Sequence, residues 1–237
     1  MYTLTYTIKQ KMQKDTTSEN LPLAEIAYRA IREEILNNQF KAGEQVLEKA
    51  LVERFGISRT PVREACVRLE KEGLIEIKPR HGIRVKPISV EDMAEIYDIL
   101  TALESEAARI LAEKQLTEED YKSLAAPTEA MEQALENDQL EAWAEADEAF
   151  HLALVNLTGN QRLKQVVLQF WGQAHRVRYF TLHLRPKPTG STQDHIDLVN
   201  AIKAGNANLA AEIHRNHRIK GKHTLLNLLE TYRFVQL

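Results

Sequence analysis

The sequence predicts a mainly α-helical chain in two parts: a winged helix-turn-helix of three helices plus a β-hairpin wing, then an all-α antiparallel bundle of six or seven helices. Three observations predict it. Two short amphipathic runs meet at Gly56, a few residues apart, as helix-turn-helix pairs do. Apolar and charged residues alternate on both sides of Arg80-His81-Gly82, the period of a half-buried hairpin. From Ser89 almost to the C-terminus apolar residues keep helical spacing, with only short interruptions.

The first of the paired helices is Leu47-Glu-Lys-Ala-Leu-Val-Glu-Arg-Phe-Gly56, stopped by a glycine able to take positive φ. The next starts between Ser58 and Pro61. Ser58 or Thr60 accepts from free first-turn N–H groups, and Pro61 stands where a missing N–H costs little. Val62, Ala65, Cys66 and Leu69 form its buried stripe, which leaves Thr60, Arg63, Glu64, Val67 and Lys71 on the other face. Arg59 and Arg63, four apart at the helix start, are placed to offer guanidinium forks to phosphates or guanine edges. Ile75, Ile77, Ile83 and Val85 define the wing strands. Its Arg80-His81-Gly82 tip is shaped to follow a backbone or enter a minor groove, with Gly82 permitting close approach.

Charge agrees with that placement. The net charge of −3 hides +3 over residues 21–87 and −7 over residues 88–237. One end alone is suited to a polyanion. With 237 residues and 43% apolar content the chain has material for two cores. A single cysteine excludes an internal disulfide framework and fits a reducing, cytoplasmic setting. The apolar runs are too short for a membrane span, and the N-terminus lacks the apolar core of a signal peptide. Residues 1–20, polar and rich in Thr, Lys and Gln, read as a mobile arm.

In the bundle, Ser89-Val-Glu-Asp92 has the pattern of a capping box, and its helix continues to about Glu113. Thr117-Glu-Glu-Asp120 opens a second helix, to about Asn137, that Pro127 should bend or divide. Further helices fit residues 139–157, 161–184, 191–204 and 206 to about 233. Asp147 and His151 share one face of their helix, on an inward stripe with Leu140, Trp143, Ala144, Leu154 and Val155. The last two helices should form a hairpin about Gly205, which brings His195 level with both His214 and His217. Spacing does not choose between these two. The direction of the side chain favours His217, which continues Leu209 and Ile213 at intervals of four. One Asp and three His converging in a bundle hold a divalent transition metal such as Zn²⁺, Ni²⁺ or Mn²⁺ with a position left open. The carboxylate and ion together keep about one positive charge, which suits a carboxylate ligand.

The segments Tyr28-Arg-Ala-Ile-Arg-Glu-Glu-Ile-Leu36, Ala42-Gly-Glu-Gln-Val-Leu47, Ile57-Ser-Arg-Thr-Pro-Val-Arg-Glu-Ala65 and Arg68-Leu-Glu-Lys-Glu-Gly-Leu74 resemble the winged helix-turn-helix of bacterial GntR-type transcription regulators. Departures are Ala42 for the usual proline and Cys66 for leucine. The resemblance implies DNA contacts from Lys49, Arg59, Thr60, Arg63, His81 and Gly82; Ser58 and Arg80 flank them and complete the DNA-binding set. Within the second part, residues 88–237, about residues 90 to 230 resemble the FCD effector domain of the FadR-type branch, through Asp147-Glu-Ala-Phe-His151, Thr158-Gly-Asn160, and His195 with His217. This implies a metal on Asp147, His151, His195 and His217, and a small carboxylate effector that completes its coordination. Many relatives carry an arginine four residues before the glutamate of the first bundle helix, where this chain has Leu100 before Glu104. Arg176, Arg178 and Arg185 are the candidate replacements.

The expectation is a homodimeric regulator, most simply a repressor, on an approximately palindromic double-stranded operator. Two alternatives stand beside it. A metal-dependent hydrolase needs a placed base, yet Glu148 lies about 100° around the helix from Asp147, and no other partner carboxylate is evident. A metal-sensing or architectural DNA-binding protein would need no organic effector.

Overall fold

The computed structural model describes residues 21–232; the predicted arm over residues 1–20 lies outside them. The described residues divide between Lys86 and Pro87 into two compact units, each with its own core.

The first unit runs α1 (Leu23–Leu36), β1 (Gln45–Val46), α2 (Glu48–Phe55), α3 (Arg59–Lys71), β2 (Ile75–Lys78) and β3 (Gly82–Val85). Ala27, Ile31 and Ile35 of α1 and Leu51 of α2 close over Val62, Ala65 and Leu69 of α3, all at most 1% exposed. Gly56 caps α2 in the left-handed conformation at φ 68°, as a helix-ending glycine should. Ser58 stands at the N-cap of α3, but its side chain makes no capping bond. The predicted hairpin pairs Ile77 with Ile83 and Lys78 with Gly82. A third strand joins it that alternation did not reveal, because β1 spans only two residues: the sheet order is β1-β3-β2, all antiparallel.

The second unit holds six α-helices among the described residues: α4 (Val90–Glu113), α5 (Glu118–Glu136), α6 (Leu140–Leu157), α7 (Gln161–Phe180), α8 (Thr189–Lys203) and α9 (Ala207–Thr231). Capping boxes at Ser89/Asp92 and Thr117/Asp120 start α4 and α5 as predicted. Pro127 lies within α5 without dividing it. α7 ends before the expected position and gives way to a 3₁₀ turn, Leu182–Leu184, while α8 begins earlier, at Thr189. The Arg185-Pro186-Lys187-Pro188 strap between them holds two prolines that cannot continue a helix. Leu100, Ala107, Leu111, Phe150, Leu154, Val177 and Leu198 sit in the core at 0% exposure. Apolar burial on this scale stabilises each large side chain by about 1.5–3 kcal/mol, and it surrounds a polar cluster at the centre of the bundle.

Candidate DNA interface and candidate metal centre

In the first unit, Ser58, Arg59, Thr60, Arg63, Glu64 and Val67 form an exposed strip along α3, opposite its buried stripe. Arg63 is held by both carboxylate oxygens of Glu48 at the start of α2, with Nη2 3.1 Å from Oε2. The fork is therefore oriented before any ligand arrives. Lys49, the next residue on α2, is exposed and 3.6 Å from Glu53. At the wing tip Arg80 takes φ 66° and Gly82 φ 79°. A Cβ on Gly82 would lie 2.2 Å from the Val46 carbonyl oxygen, so β1 alone requires glycine there. The His81 carbonyl accepts from Gln45 at 3.0 Å, which leaves the imidazole of this exposed residue at the tip.

In the second unit one ligand atom from each of Asp147, His151, His195 and His217 lies within 4.8 Å of the others. α6 supplies Asp147 and His151, α8 supplies His195 and α9 supplies His217. Atoms bound to one ion at about 2.1 Å lie no more than about 4.2 Å apart, so little contraction is needed. Asp147, His151 and His195 are at most 1% exposed; the His217 side chain, 11% exposed, stands at the rim.

The environment of each ring decides its proton. His151 Nδ1 is 2.9 Å from Oε2 of Glu104 on α4 and 3.2 Å from Arg218 Nη2; the carboxylate, the nearer of the two and able only to accept, favours the hydrogen on Nδ1. Nε2 of His151 is buried with no hydrogen-bond partner and 3.7 Å from Asp147 Oδ1. That unshared lone pair in a polar pocket fits a metal ligand, held by the carboxylate–histidine arrangement that supports such sites. His195 Nε2 is 3.1 Å from the same Asp147 oxygen, and His217 Nδ1 is 3.6 Å from Asp194. His214, which spacing could not separate from His217, lies beside the group instead, with Nε2 3.0 Å from Glu104.

Two arginines balance the two buried carboxylates. Arg218 of α9 grips Glu104 through Nε at 3.0 Å and through Nη2; Arg178 of α7 bonds Asp147 Oδ2. Burial would raise both carboxyls, but Arg218 on Glu104 and Arg178 on Asp147, with the nearby histidines, hold them well below their usual range. Burial pushes His151 and His214 down and His217 to about 3, so the rings are neutral, as metal ligation requires.

The cluster opens through His217 into a cavity of about 270 Å³. Its lining includes Arg178, Arg185, Arg218, Trp143 and Tyr97, with the strap forming one wall. Of the three arginines weighed from sequence, Arg178 and Arg185 reach this cavity; Arg176, 1% exposed on α7, does not line it. Glu104 and Arg218 were missed, and the reading that no other carboxylate stands near the histidines is corrected by Glu104. The available signal was a charge inside an inward stripe: Glu104 follows Leu100 by four and precedes Ala107 by three, and Arg218 continues Ala210 and His214 at intervals of four.

Two family models match the chain, "Bacterial regulatory proteins, gntR family" over residues 23–85 and "FCD domain" over residues 95–219. The chain belongs to the gntR family of bacterial regulatory proteins. Relatives of this GntR protein include the HTH-type transcriptional repressor RspR of Escherichia coli K12, 31% identical over 183 residues that cover 77% of this chain and 79% of RspR. An HTH-type transcriptional regulator from the TAR-I ttuE-ttuC' intergenic region of Agrobacterium vitis is 44% identical over 131 residues, 54% of this chain and 77% of that one. Among solved structures, E. coli McbR/YncC superposes with TM-score 0.78 at 21% identity, covering 88% of this chain and 99% of that chain, a likeness of fold. Such families and relatives are transcriptional regulators rather than enzymes, and this GntR protein with its FCD domain is a DNA-binding transcriptional regulator. No helix among its described residues is long and apolar enough to cross a membrane.

Proposed function

We propose that this regulator binds an approximately palindromic operator as a homodimer, and that a small carboxylate beside a divalent transition metal in the FCD unit sets its affinity for that operator. The single observation that carries the metal is the buried, unpartnered Nε2 of His151, whose Nδ1 is fixed by Glu104. Asp147, His151, His195 and His217 hold the ion, which supplies positive charge and an open coordination position. Arg185 supports the anion reading: Nη2 bonds the Arg178 carbonyl at 2.7 Å, and Nε is buried without a partner. Burial, with Arg178 nearby, lowers its pKa to about 10, so a guest anion relieves a desolvated cation. On DNA, Arg59 and Arg63 meet base edges, Lys49, Ser58 and Thr60 meet the backbone, and Arg80, His81 and Gly82 carry the wing along the duplex. The carboxylate acts by binding one arrangement of the dimer more tightly than the other.

The test is selection of duplexes from a random pool by the full-length protein, followed by titration of the selected duplex with and without small carboxylates. A roughly two-fold symmetric site is expected, together with a carboxylate that changes wild-type affinity by roughly 5–150-fold. Asp147→Asn should lose that response. Failure to enrich any sequence would refute the operator reading, and unchanged affinity with every carboxylate would refute the effector reading.

A further inference from the structure

Three guanidiniums line this cavity, and they are not equivalent. Arg178 and Arg218 are committed on one edge to Asp147 and Glu104. Those bonds use Nη2 of Arg178, and Nε and Nη2 of Arg218, so Nη1 of each is left for a guest. Arg185 has no carboxylate partner among the described residues; its one bond goes to the Arg178 carbonyl. Lys187 and Lys220 at the rim are matched by Asp138 and Asp194. Facing the cavity, three arginines against two carboxylates therefore leave one positive charge. A divalent ion at the cluster raises the excess to three, not the single charge that Asp147 and an ion alone would leave. One carboxylate would still leave about two positive charges in a largely desolvated space, where unpaired charge is costly.

The positive groups are also spread out. Arg178 touches Asp147 at the tip of its side chain and receives Arg185 at its own backbone carbonyl, so the two guanidiniums stand at opposite ends of one arginine. Two anionic groups separated by a short chain fit this arrangement better than one compact dianion. At about 270 Å³ the cavity lies just below the ~300–1,000 Å³ of common small-molecule pockets, which suits a short guest.

We infer that the effector is a short dicarboxylate, one end at the metal beside Arg178, Arg218 and His217, the other held by Arg185. Arg218 thereby supplies from α9 the guanidinium that Leu100 does not supply from α4. This inference rests on the metal and effector reading proposed above.

Full-length protein loaded with zinc is titrated by calorimetry with succinate, with butyrate, which keeps the carbon chain but has one carboxylate, and with inorganic phosphate. Metal content is measured on the same samples. Succinate should bind about tenfold or more tighter than either competitor, since a site built for a charged group rejects the analogue that lacks it. Arg185→Gln should reduce that margin to about twofold or less while metal content stays at wild-type level. Equal binding of succinate and butyrate by metal-loaded protein, phosphate binding as tightly as succinate, or an Arg185→Gln protein with its margin intact would overturn the inference. Protein that takes up no zinc would instead remove the reading on which it rests.

Discussion

His151 Nδ1 lies 2.9 Å from Glu104 Oε2, across the bundle from α6 to α4. This contact fixes the tautomer of the ring and turns Nε2 toward Asp147, His195 and His217. Glu104 accepts from Arg218 and His214 as well, so one buried carboxylate orders three side chains.

Replacing Glu104 should therefore affect the metal site and the fold separately. Glu104→Gln keeps the size of the side chain but leaves Arg218 without its counter-charge, and breaking a buried pair from one side costs about 3–5 kcal/mol. Loss of support for His151 should weaken zinc affinity by roughly 10–100-fold. Urea unfolding reads the first effect and competition with a chelating dye the second. A variant with wild-type zinc affinity would show that Glu104 does not support the site.

Arg63 stands free of the first unit's core and, among the described residues, is held by Glu48, so its removal should act mainly on DNA. Arg63→Ala is expected to cost about 1–3 kcal/mol of affinity for the selected duplex and to relax preference at one base position in each half-site. A competition assay at fixed moderate salt measures both. Unchanged affinity and preference would remove Arg63 from the contact set.

The fold was largely legible before the structure, because period and punctuation are local signals: Gly56, the two capping boxes and the stripe Val62, Ala65, Leu69 each declare themselves within a few residues. β1 was not, because two residues have no period and pair only through β3. In the site, Asp147 and His151 were legible as an i, i+4 pair and His195 through its distance from Gly205, whereas His217 was separated from the equally level His214 only by continuing Leu209 and Ile213 at intervals of four. Glu104 and Arg218 were not, because each gains its role from a partner more than a hundred residues away in sequence, 114 apart in their own pair. Gly82 illustrates the reverse case, a glycine expected to permit DNA approach that β1 already requires for packing.

Acid should destabilise the metal-free protein from near neutrality downward. Burial holds His151, His214 and His217 below their ordinary value of 6.5, His217 at about 3. In the unfolded chain these rings take up protons near pH 6.5 that the folded bundle refuses. The stability they contribute is complete above about pH 6.5 and is lost as pH falls toward their folded values. Glu104 and Asp147, also lowered in the fold, add their losses below about pH 4.5. Urea unfolding after chelation should show a loss of about 1 kcal/mol from His217 between pH 7.5 and 5.5, with further loss in the same direction from His151 and His214. Equal stability at the two pH values would contradict the neutral, buried state of the rings.

Chelation at neutral pH should leave the bundle folded. Arg178 and Arg218 already neutralise Asp147 and Glu104, so removing the ion does not leave two bare carboxylates in the core. Excess EDTA is expected to lower the thermal midpoint by roughly 5–10 °C, the amount that releasing a saturating ligand implies for a chain of this size. Helical circular dichroism at 25 °C should persist. Its collapse on chelation would show that the ion, not the arginines, holds the cluster together.

Elemental analysis of the purified full-length protein, after incubation with Zn²⁺, Ni²⁺ or Mn²⁺ and desalting, tests the central claim most directly. Wild type should retain about one ion per chain, and His195→Ala combined with His217→Ala should retain almost none, two of four ligands being gone. Wild type without stoichiometric metal, or a double variant with unaltered content, would contradict the placement of the metal on Asp147, His151, His195 and His217.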